Sequence, residues 1–305
     1  MTISAAVLGR PIAHSKSPLL HRAAFQALGL HGSEYASYDL GADELEAFLA
    51  DHDHEVGFSL TMPLKEQLVE LARAHGWDLD DTAGLTGVAN TLVRSASSTA
   101  VANTDVQGIV RALAPGLTTS DTEYGDRATI LGAGATAASA LLACHELGVT
   151  TVEFLVRNPD RARRVLELSQ RLGITATTAP LRRIEPAAIV ISTLPAEAVP
   201  ELQWSPDFHS GVALDVAYAA ESGFLRAAEA HGLIPVEGTV MLVEQAVAQS
   251  EMFIAAAESQ NAEAELRNTE TADGGDRRTR DSARRAAITV AMYRALEDAP
   301  GPVGD

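Results

Sequence analysis

The sequence predicts an α/β fold in two domains, each organised on a largely parallel sheet. Apolar runs of strand length alternate with longer helical patterns along most of the chain, the rhythm of α/β proteins. One strand, turn and helix near the middle carries Gly-x-Gly-x-x-Ala, a turn that belongs at the end of a parallel strand. At 305 residues the chain is long enough for two domains of ~150 residues, each with its own core.

Strands are expected at residues 5–8, 35–39 and 56–60, with helices at 19–28 and 42–50 between them. Gly29 stands where the first helix should be capped. A hairpin is expected from Thr91 to Ala102. Residues 114–126, rich in Gly, Thr, Ser and Asp, read as a link into a second unit that starts near Arg127. Beyond it, strands at 128–131, 152–156, 189–192 and 212–216 alternate with helices at 137–147 and 161–172, the former closed by Gly148. After Leu233 the pattern becomes helical, from 241 to about 257. Residues 258–281 are polar and charged and read as partly mobile. A last helix, 282–296, offers Ala286, Ile288, Val290, Ala291 and Leu296 for packing. The domains are therefore expected as 1–108, completed by the C-terminal helices of 238–305, and 109–237.

Lys and Arg number 23 against 41 Asp and Glu, a formal charge of −18. That excludes a broad nucleic-acid or anionic-membrane surface, which needs clustered positive charge. No unbroken apolar run approaches the ~20 residues that span a bilayer, and nothing at the N-terminus reads as a targeting signal. The single cysteine, Cys144, excludes internal disulfides and multi-thiolate metal sites and fits a reducing, cytoplasmic setting. His52 and His54 lie close together, but their acidic surroundings read as solvated surface, and no metal-ligand spacing is evident. Only two of the basic residues are lysines, Lys16 and Lys65. A coding bias toward arginine accounts for the ratio but not for those two positions.

The apolar run at 128–131 leads into Gly132-Ala133-Gly134-Ala135-Thr136-Ala137. Gly132 would permit the tight turn, Gly134 would let the backbone approach a pyrophosphate, and Ala137 is small enough for close helix–strand packing. The following helix N-terminus would add N–H groups and partial positive charge. A bare structural turn is the alternative; the flanking strands and helix favour a dinucleotide site. Where an NAD site carries Asp or Glu at the end of its second strand, this chain has Arg157, with Arg161 one turn later. A carboxylate would repel a 2′-phosphate and a guanidinium would grip it, which favours NADP. An arginine-rich solvated loop is the competing explanation.

The first ~110 residues, less than one ~150-residue domain, hold compact polar motifs at strand ends. Gly9 to Pro18 contains Ser15-Lys16-Ser17 before a helix, two hydroxyls placed to meet a carboxylate or, more plainly, to cap the helix. Thr61-Met62-Pro63-Leu64-Lys65 ends another strand, and Lys65 would begin a helix, where a cation is electrostatically misplaced. Gly87-Val88-Ala89-Asn90-Thr91 and Asn103-Thr104-Asp105 flank the expected hairpin, so amides, hydroxyls and a carboxylate converge, although turn chemistry also favours these types.

These motifs, with the nucleotide turn, Arg157, Arg161 and Met241-Leu242-Val243-Glu244-Gln245-Ala246, resemble the shikimate dehydrogenase family over residues 6 to about 252, and more weakly over the final helix. The resemblance implies a substrate domain and a Rossmann-like NADP-binding domain with the active site in the cleft between them. It implies reversible NADPH-dependent reduction of 3-dehydroshikimate to shikimate, in aromatic amino-acid biosynthesis, by a monomer or homodimer. It makes Ser15 and Ser17 ligands of the substrate carboxylate, and Thr61, Asn90 and Gln245 ligands of the ring hydroxyls, together with the catalytic pair Lys65 and Asp105. Tyr218 matches a tyrosine near the substrate. Gly132, Ala133, Gly134, Ala135, Arg157 and Arg161 would hold NADP, with Thr193, Leu194 and Gly238 approaching it. Lys16 would add only positive charge for an approaching anion.

Three departures stand out: Ala135 where the family commonly has a third glycine, an altered loop at 219–223 after Tyr218, and the longer polar stretch of 258–281. Two competing functions remain at this point. One is a quinate or other cyclic polyol-acid dehydrogenase, which Ser15, Ser17 and Arg157 disfavour. The other is a non-catalytic shikimate sensor, which should lack Lys65 and Asp105.

Overall fold

Ser-Ala-Ala-Val-Leu-Gly forms β1 (Ser4–Gly9), buried along almost its whole length. A strand apolar on both faces suits the middle of a parallel sheet. In the computed structural model, which describes residues 1–119, 124–218, 221–266 and 277–299, β1 lies between β2 (Glu34–Asp39) and β3 (Gly57–Leu60) and runs parallel to both. Helix α1 (Ser17–Ala27) connects β1 to β2, and α2 (Leu45–Asp51), preceded by a short 3₁₀ turn, connects β2 to β3. Then follow α3 (Lys65–His75), the short β4 (Asp78–Leu79), α4 (Asp81–Thr86) and the hairpin of β5 (Thr91–Arg94) and β6 (Thr99–Ala102). The six strands run in the order β2-β1-β3-β5-β6-β4.

The second sheet is wholly parallel. Helix α5 (Asp105–Thr119) leads to β7 (Arg127–Leu131), α6 (Ala135–Glu146), β8 (Thr151–Val156), α7 (Arg163–Leu172) and β9 (Thr175–Pro180). The chain continues through β10 (Arg183–Ile184), β11 (Ile189–Ser192), β12 (Gln203–Trp204), β13 (Val212–Asp215), α8 (Gly223–Ala230) and β14 (Ile234–Glu237). Its main order is β14-β13-β11-β7-β8-β9, so the strand order reverses between β7 and β11, where α/β sheets bind ligands. Two long helices finish the chain, α9 (Gly238–Leu266) and α10 (Arg277–Glu297).

The chain divides into two compact units, Met1–Thr104 with Gln245–Asp305, and Asp105–Glu244. Both divisions differ slightly from the expected 108/109 and 237/238. The whole of α5 packs on α6 and β13 and goes with the second unit, while the second division falls inside α9. In the first unit, Leu8, Phe58, Leu64, Leu68 and Leu92 build one apolar core. On another side, His21, Phe25, Tyr35 and Phe253 form an aromatic cluster, with His21 stacked on Tyr35 at 4.2 Å between ring centroids. The second unit has its own core, including Leu131, Leu155, Val190, Phe208 and Phe224.

Several expected elements are corrected. Residues 114–119 are not a link but the last turns of α5. Thr118 donates its hydroxyl to Ala114 O at 2.9 Å and Thr119 to Gly116 O at 3.0 Å, so side chains satisfy carbonyls near the helix end. Residues 120–123 lie outside the described residues. A strand, β14, precedes the C-terminal helices, and α9 extends beyond 241–257 in both directions, so 258–266 are helical; 267–276 lie outside the described residues. In α10, Ile288 and Met292 are buried, but Ala286 and Val290 face solvent, since the side turned to α1 repeats every four residues. Among the described residues, the Gly238–Glu263 stretch is long and apolar enough to cross a membrane by length and composition. It carries no unbroken apolar run because Gln245, Gln249, Ser250 and Glu251 interrupt it. These polar residues are themselves buried or half-buried, and 61% of the most apolar 18-residue window is buried, as in a core helix.

His21 makes the fold acid-sensitive. It is fully buried, its Nδ1 lies 2.8 Å from Ser250 Oγ, and burial lowers its imidazole to about 3. The unfolded chain takes up this proton near pH 6.5 and the folded chain does not until about 3, so stability falls as pH drops through that window. His21→Phe should remove up to ~1.4 kcal/mol per pH unit from the slope of urea-unfolding free energy between pH 6.5 and 5. Equal slopes in the two proteins would refute the assignment.

Candidate functional site

The loops after β1 and β3 run side by side because Gly9 has no side chain. A Cβ there would collide with Thr61 Cγ2 and lie 2.8 Å from Met62 O. Thr61 N donates to Leu8 O at 2.9 Å, and Arg10 N donates to Met62 O at 2.9 Å. The Arg10 guanidinium then clasps Asp39 at 2.6 Å and Glu44 at 2.8 Å. Glu44 is held below the usual carboxylate range, first by the Gly41 N–H and then by Arg10. Farther along this loop, the Ser15 hydroxyl accepts from Ser17 N at 3.3 Å, and Ser17, largely buried, begins α1. The N-cap residue of that helix, Lys16, makes no side-chain cap bond.

Thr61 is half-buried and its carbonyl accepts from Leu64 N at 2.8 Å, turning the chain into α3. Lys65 is the first residue of α3, as its spacing after the strand predicts, and its carbonyl accepts from Ala89 N at 2.9 Å. That bond sets Lys65 beside the turn carrying Asn90. The antiparallel hairpin brings both Asn-Thr pairs to the same end of its two strands, with Thr91 opposite Ala102. Asn90 Oδ1 accepts from Thr104 N at 2.9 Å and from the Thr91 hydroxyl at 2.9 Å. Asn90 Nδ2 donates to Thr104 Oγ1 at 2.9 Å and to Gln245 Oε1 on α9 at 3.2 Å. Asn103 Nδ2 donates to Thr86 Oγ1 at 3.2 Å. All these polar side chains are nearly inaccessible to solvent, so this is a preorganised network in which each lost bond is costly. Asp105, also buried, follows Thr104 directly and opens α5.

In the second unit the Gly-rich turn leaves β7 at the point where strand order reverses. Gly132 has φ +102°, and a Cβ on it would lie 2.6 Å from Thr193 Oγ1 and 3.2 Å from Leu194 Cδ2. Thr193 is anchored there, its hydroxyl donating to Leu131 O at 2.7 Å. The turn therefore brings Gly132, Thr193 and Leu194 together. Gly134 caps α6 with its backbone alone, no acidic side chain occupies the first turn, and nothing lies within 4 Å of where its Cβ would be. Ala133 and Ala135 flank it, and Ala137 is fully buried against the sheet. Arg157 and Arg161 are exposed just past β8. Tyr218 and Gly238 line a cavity of about 280 Å³ with Glu221, Ser222, Arg226 and Thr239. A Cβ on Gly238 would meet Asp215 O at 2.6 Å and Val216 O at 2.7 Å, so α9 starts hard against the end of β13. Asp215 ties the Tyr218 loop back by accepting from Ser222 Oγ at 2.6 Å and Ala217 N at 3.3 Å. The altered loop noted in the sequence includes Ala219 and Ala220, which lie outside the described residues.

These features fit a dinucleotide phosphate. The turn is cleared of side chains where a backbone must approach a ligand, the helix start presents N–H groups, and two guanidinium groups stand where a carboxylate would select a free 2′-hydroxyl. Among the described residues no group of three His, Cys, Asp or Glu could hold a metal ion. His52 is a packed residue rather than a ligand, stacked on Phe48 at 3.8 Å with Nδ1 3.0 Å from Phe48 O.

Sequence reading assigned no role to Gly9, Tyr35, Ser59 or Gln249, all of which shape the first unit's site. Gln249 was discoverable, since it lies four residues after Gln245 and so on the same face of α9.

Comparison with known proteins agrees with this geometry. The family model for the shikimate dehydrogenase substrate binding domain matches residues 7–92. A shikimate dehydrogenase (NADP(+)) of Sphingopyxis alaskensis is 33% identical over 274 residues, covering 86% of this chain and 95% of that protein. The crystal structure of the Mycobacterium tuberculosis shikimate dehydrogenase is 31% identical with a TM-score of 0.69, covering 96% of this chain and 99% of that one. The Thermus thermophilus shikimate 5-dehydrogenase, solved in complex with NADP(H) and shikimate, is 28% identical with a TM-score of 0.67, over 97% and 100% of the two chains.

Proposed function

The chain belongs to the shikimate dehydrogenase family, and from that premise we propose that it catalyses the reversible NADPH-dependent reduction of 3-dehydroshikimate to shikimate. The observation that carries the proposal is the buried Asn90–Thr104–Gln245 network beside Thr61 and Lys65 at the strand ends of the first sheet. Amide and hydroxyl groups already held in place can receive ring hydroxyls without further ordering. Ser15 and Ser17, at the start of α1, suit the carboxylate.

NADP would be held by Gly132, Ala133, Gly134 and Ala135 at its phosphates and by Arg157 and Arg161 at its 2′-phosphate, with Thr193, Leu194, Tyr218 and Gly238 nearer the reacting end; when bound it supplies or accepts the hydride. The protein supplies the proton. As the ketone is reduced its oxygen gains negative charge, and the Lys65 ammonium stabilises that charge and donates a proton to it. In the reverse direction the neutral Lys65 amine takes the hydroxyl proton. Asp105 orients the lysine. We infer a cytoplasmic setting, in keeping with a lone Cys144 that is buried and whose thiol is pushed up to about 12, far from reactive.

The test is steady-state turnover of 3-dehydroshikimate, shikimate and quinate with each cofactor, followed at the NADPH absorbance. Faster turnover of quinate with NAD would overturn the substrate assignment, and binding of shikimate without turnover would favour a sensor. In the Arg157→Ala/Arg161→Ala double variant, KM for NADPH should rise about 10–100-fold while KM for NADH changes little, from the loss of charge-assisted bonds of ~1.5–3 kcal/mol. A parallel rise for both cofactors would remove the 2′-phosphate role.

A further inference from the structure

We infer that Gln249 is a positioning residue that fixes how Asn90 presents its amide to the substrate, acting through the Thr91 hydroxyl; this rests on the substrate-binding role proposed above for Asn90. Gln249 is 1% exposed and reaches no surface. Its Nε2 lies 3.0 Å from Asn90 O and 3.0 Å from Thr91 Oγ1, and its Oε1 accepts from the Ser59 hydroxyl at 2.7 Å. Ser59 Oγ in turn accepts from the Tyr35 hydroxyl at 2.6 Å.

From Tyr35 to Asn90 the hydrogens run in one direction. Asn90 O is a backbone carbonyl and can only accept, so the Gln249 atom facing it is the NH₂. Burial raises the Tyr35 phenol well above its ordinary value, so it stays protonated and donates. Ser59, receiving that hydrogen, gives its own to Gln249 Oε1. Thr91 Oγ1 receives a hydrogen from Gln249 Nε2, so its hydroxyl turns to the remaining acceptor, Asn90 Oδ1, at 2.9 Å. The Thr104 N–H holds the same oxygen from the other side. Asn90 Oδ1 is thereby committed inward and Nδ2 is the donor, its two hydrogens on Gln245 Oε1 and Thr104 Oγ1; the Thr104 hydroxyl also lies 3.1 Å from Asn90 Oδ1, so the hydrogen on Thr104 is the one a ligand hydroxyl would take over. An asparagine amide turned over has almost the same shape but exchanges donor for acceptor. The chain thus reinforces the polarity that the Thr104 N–H also selects, across a sequence separation of 158 residues between Gln249 and Thr91.

The experiment compares wild type with Gln249→Met, Thr91→Val and Thr91→Ser, the first two near-isosteric and unable to pass the hydrogen. Gln249→Met and Thr91→Val should each raise KM for shikimate about tenfold, leave KM for NADPH unchanged, and combine less than multiplicatively in the double variant. Thr91→Ser, which keeps the hydroxyl, should restore KM for shikimate to within about twofold of wild type by the same coupling logic. A merely structural role would lower thermal stability without separating the two KM values or distinguishing Ser from Val. An active wild type with unchanged KM for shikimate in both variants would overturn the positioning role alone. A wild type that neither binds nor turns over shikimate would overturn it together with the substrate assignment.

Discussion

Replacing Lys65 by alanine is expected to lower kcat about 10²–10⁴-fold, the usual range for loss of a positioned general acid. The dissociation constant for shikimate, measured by calorimetry, should move far less, since Thr61, Asn90 and Gln245 remain. The fold should survive, because Lys65 is the first residue of α3 and alanine is the best helix former. Lys65→Arg is the sharper variant. It keeps the charge but cannot release a proton at accessible pH, so it too should be slow. Undiminished turnover in either variant would remove Lys65 from the chemistry. The scarcity of lysine in this chain follows from its arginine bias, but the retention of this one has a chemical reason: only lysine among the two can cycle between acid and base.

Gly132→Ala and Gly134→Ala are expected to separate folding from cofactor binding. At Gly132 the backbone is left-handed and the added methyl would lie 2.6 Å from a threonine oxygen that is pinned to Leu131 O. Strain of about 1–3 kcal/mol at such a position should lower the melting temperature by several degrees and weaken NADPH binding at least tenfold. At Gly134 the methyl meets nothing within 4 Å, and φ is −87°. There the melting temperature should stay within about one degree of wild type, by the same size scaling, while NADPH affinity, read by fluorescence, falls. An unaffected affinity in Gly134→Ala would mean that the backbone at this turn makes no close approach to a phosphate.

What was legible in the sequence were features with strong local signatures. The strands β1, β3, β7, β8, β11 and β13 are short, mostly buried runs rich in apolar residues, and the hairpin is bracketed by its two Asn-Thr pairs. Sheet edges were not legible. Thr-Ala-Thr-Thr-Ala-Pro of β9 and Ile-Pro-Val-Glu of β14 are half-exposed, so neither carries a continuous apolar signal. The last turns of α5 read as a link because Pro115, Gly116 and the threonines mimic loop composition. Its glycine instead serves packing, since a Cβ there would lie 2.9 Å from Val212 Cγ2. Within the site, Lys65 and Asn90 stood out by motif. Gln249 did not, because the bonds it makes join residues 158 to 190 positions apart, and no local pattern encodes them.

The discontinuous make-up of the first unit has a consequence for how the chain is born. Its first 104 residues leave the ribosome without α10, which packs on α1, and without Gln249 and Phe253, which complete the interior around Tyr35 and Ser59. At ~5–20 residues per second those partners arrive roughly 10–40 s later, after the whole contiguous second unit has emerged. Vectorial synthesis should therefore let the nucleotide-type unit mature first and leave the earlier-made segment dependent on chaperones until translation ends. Chains truncated after residue 244 and released from the ribosome should show residues 1–104 cut by protease while 105–244 resist.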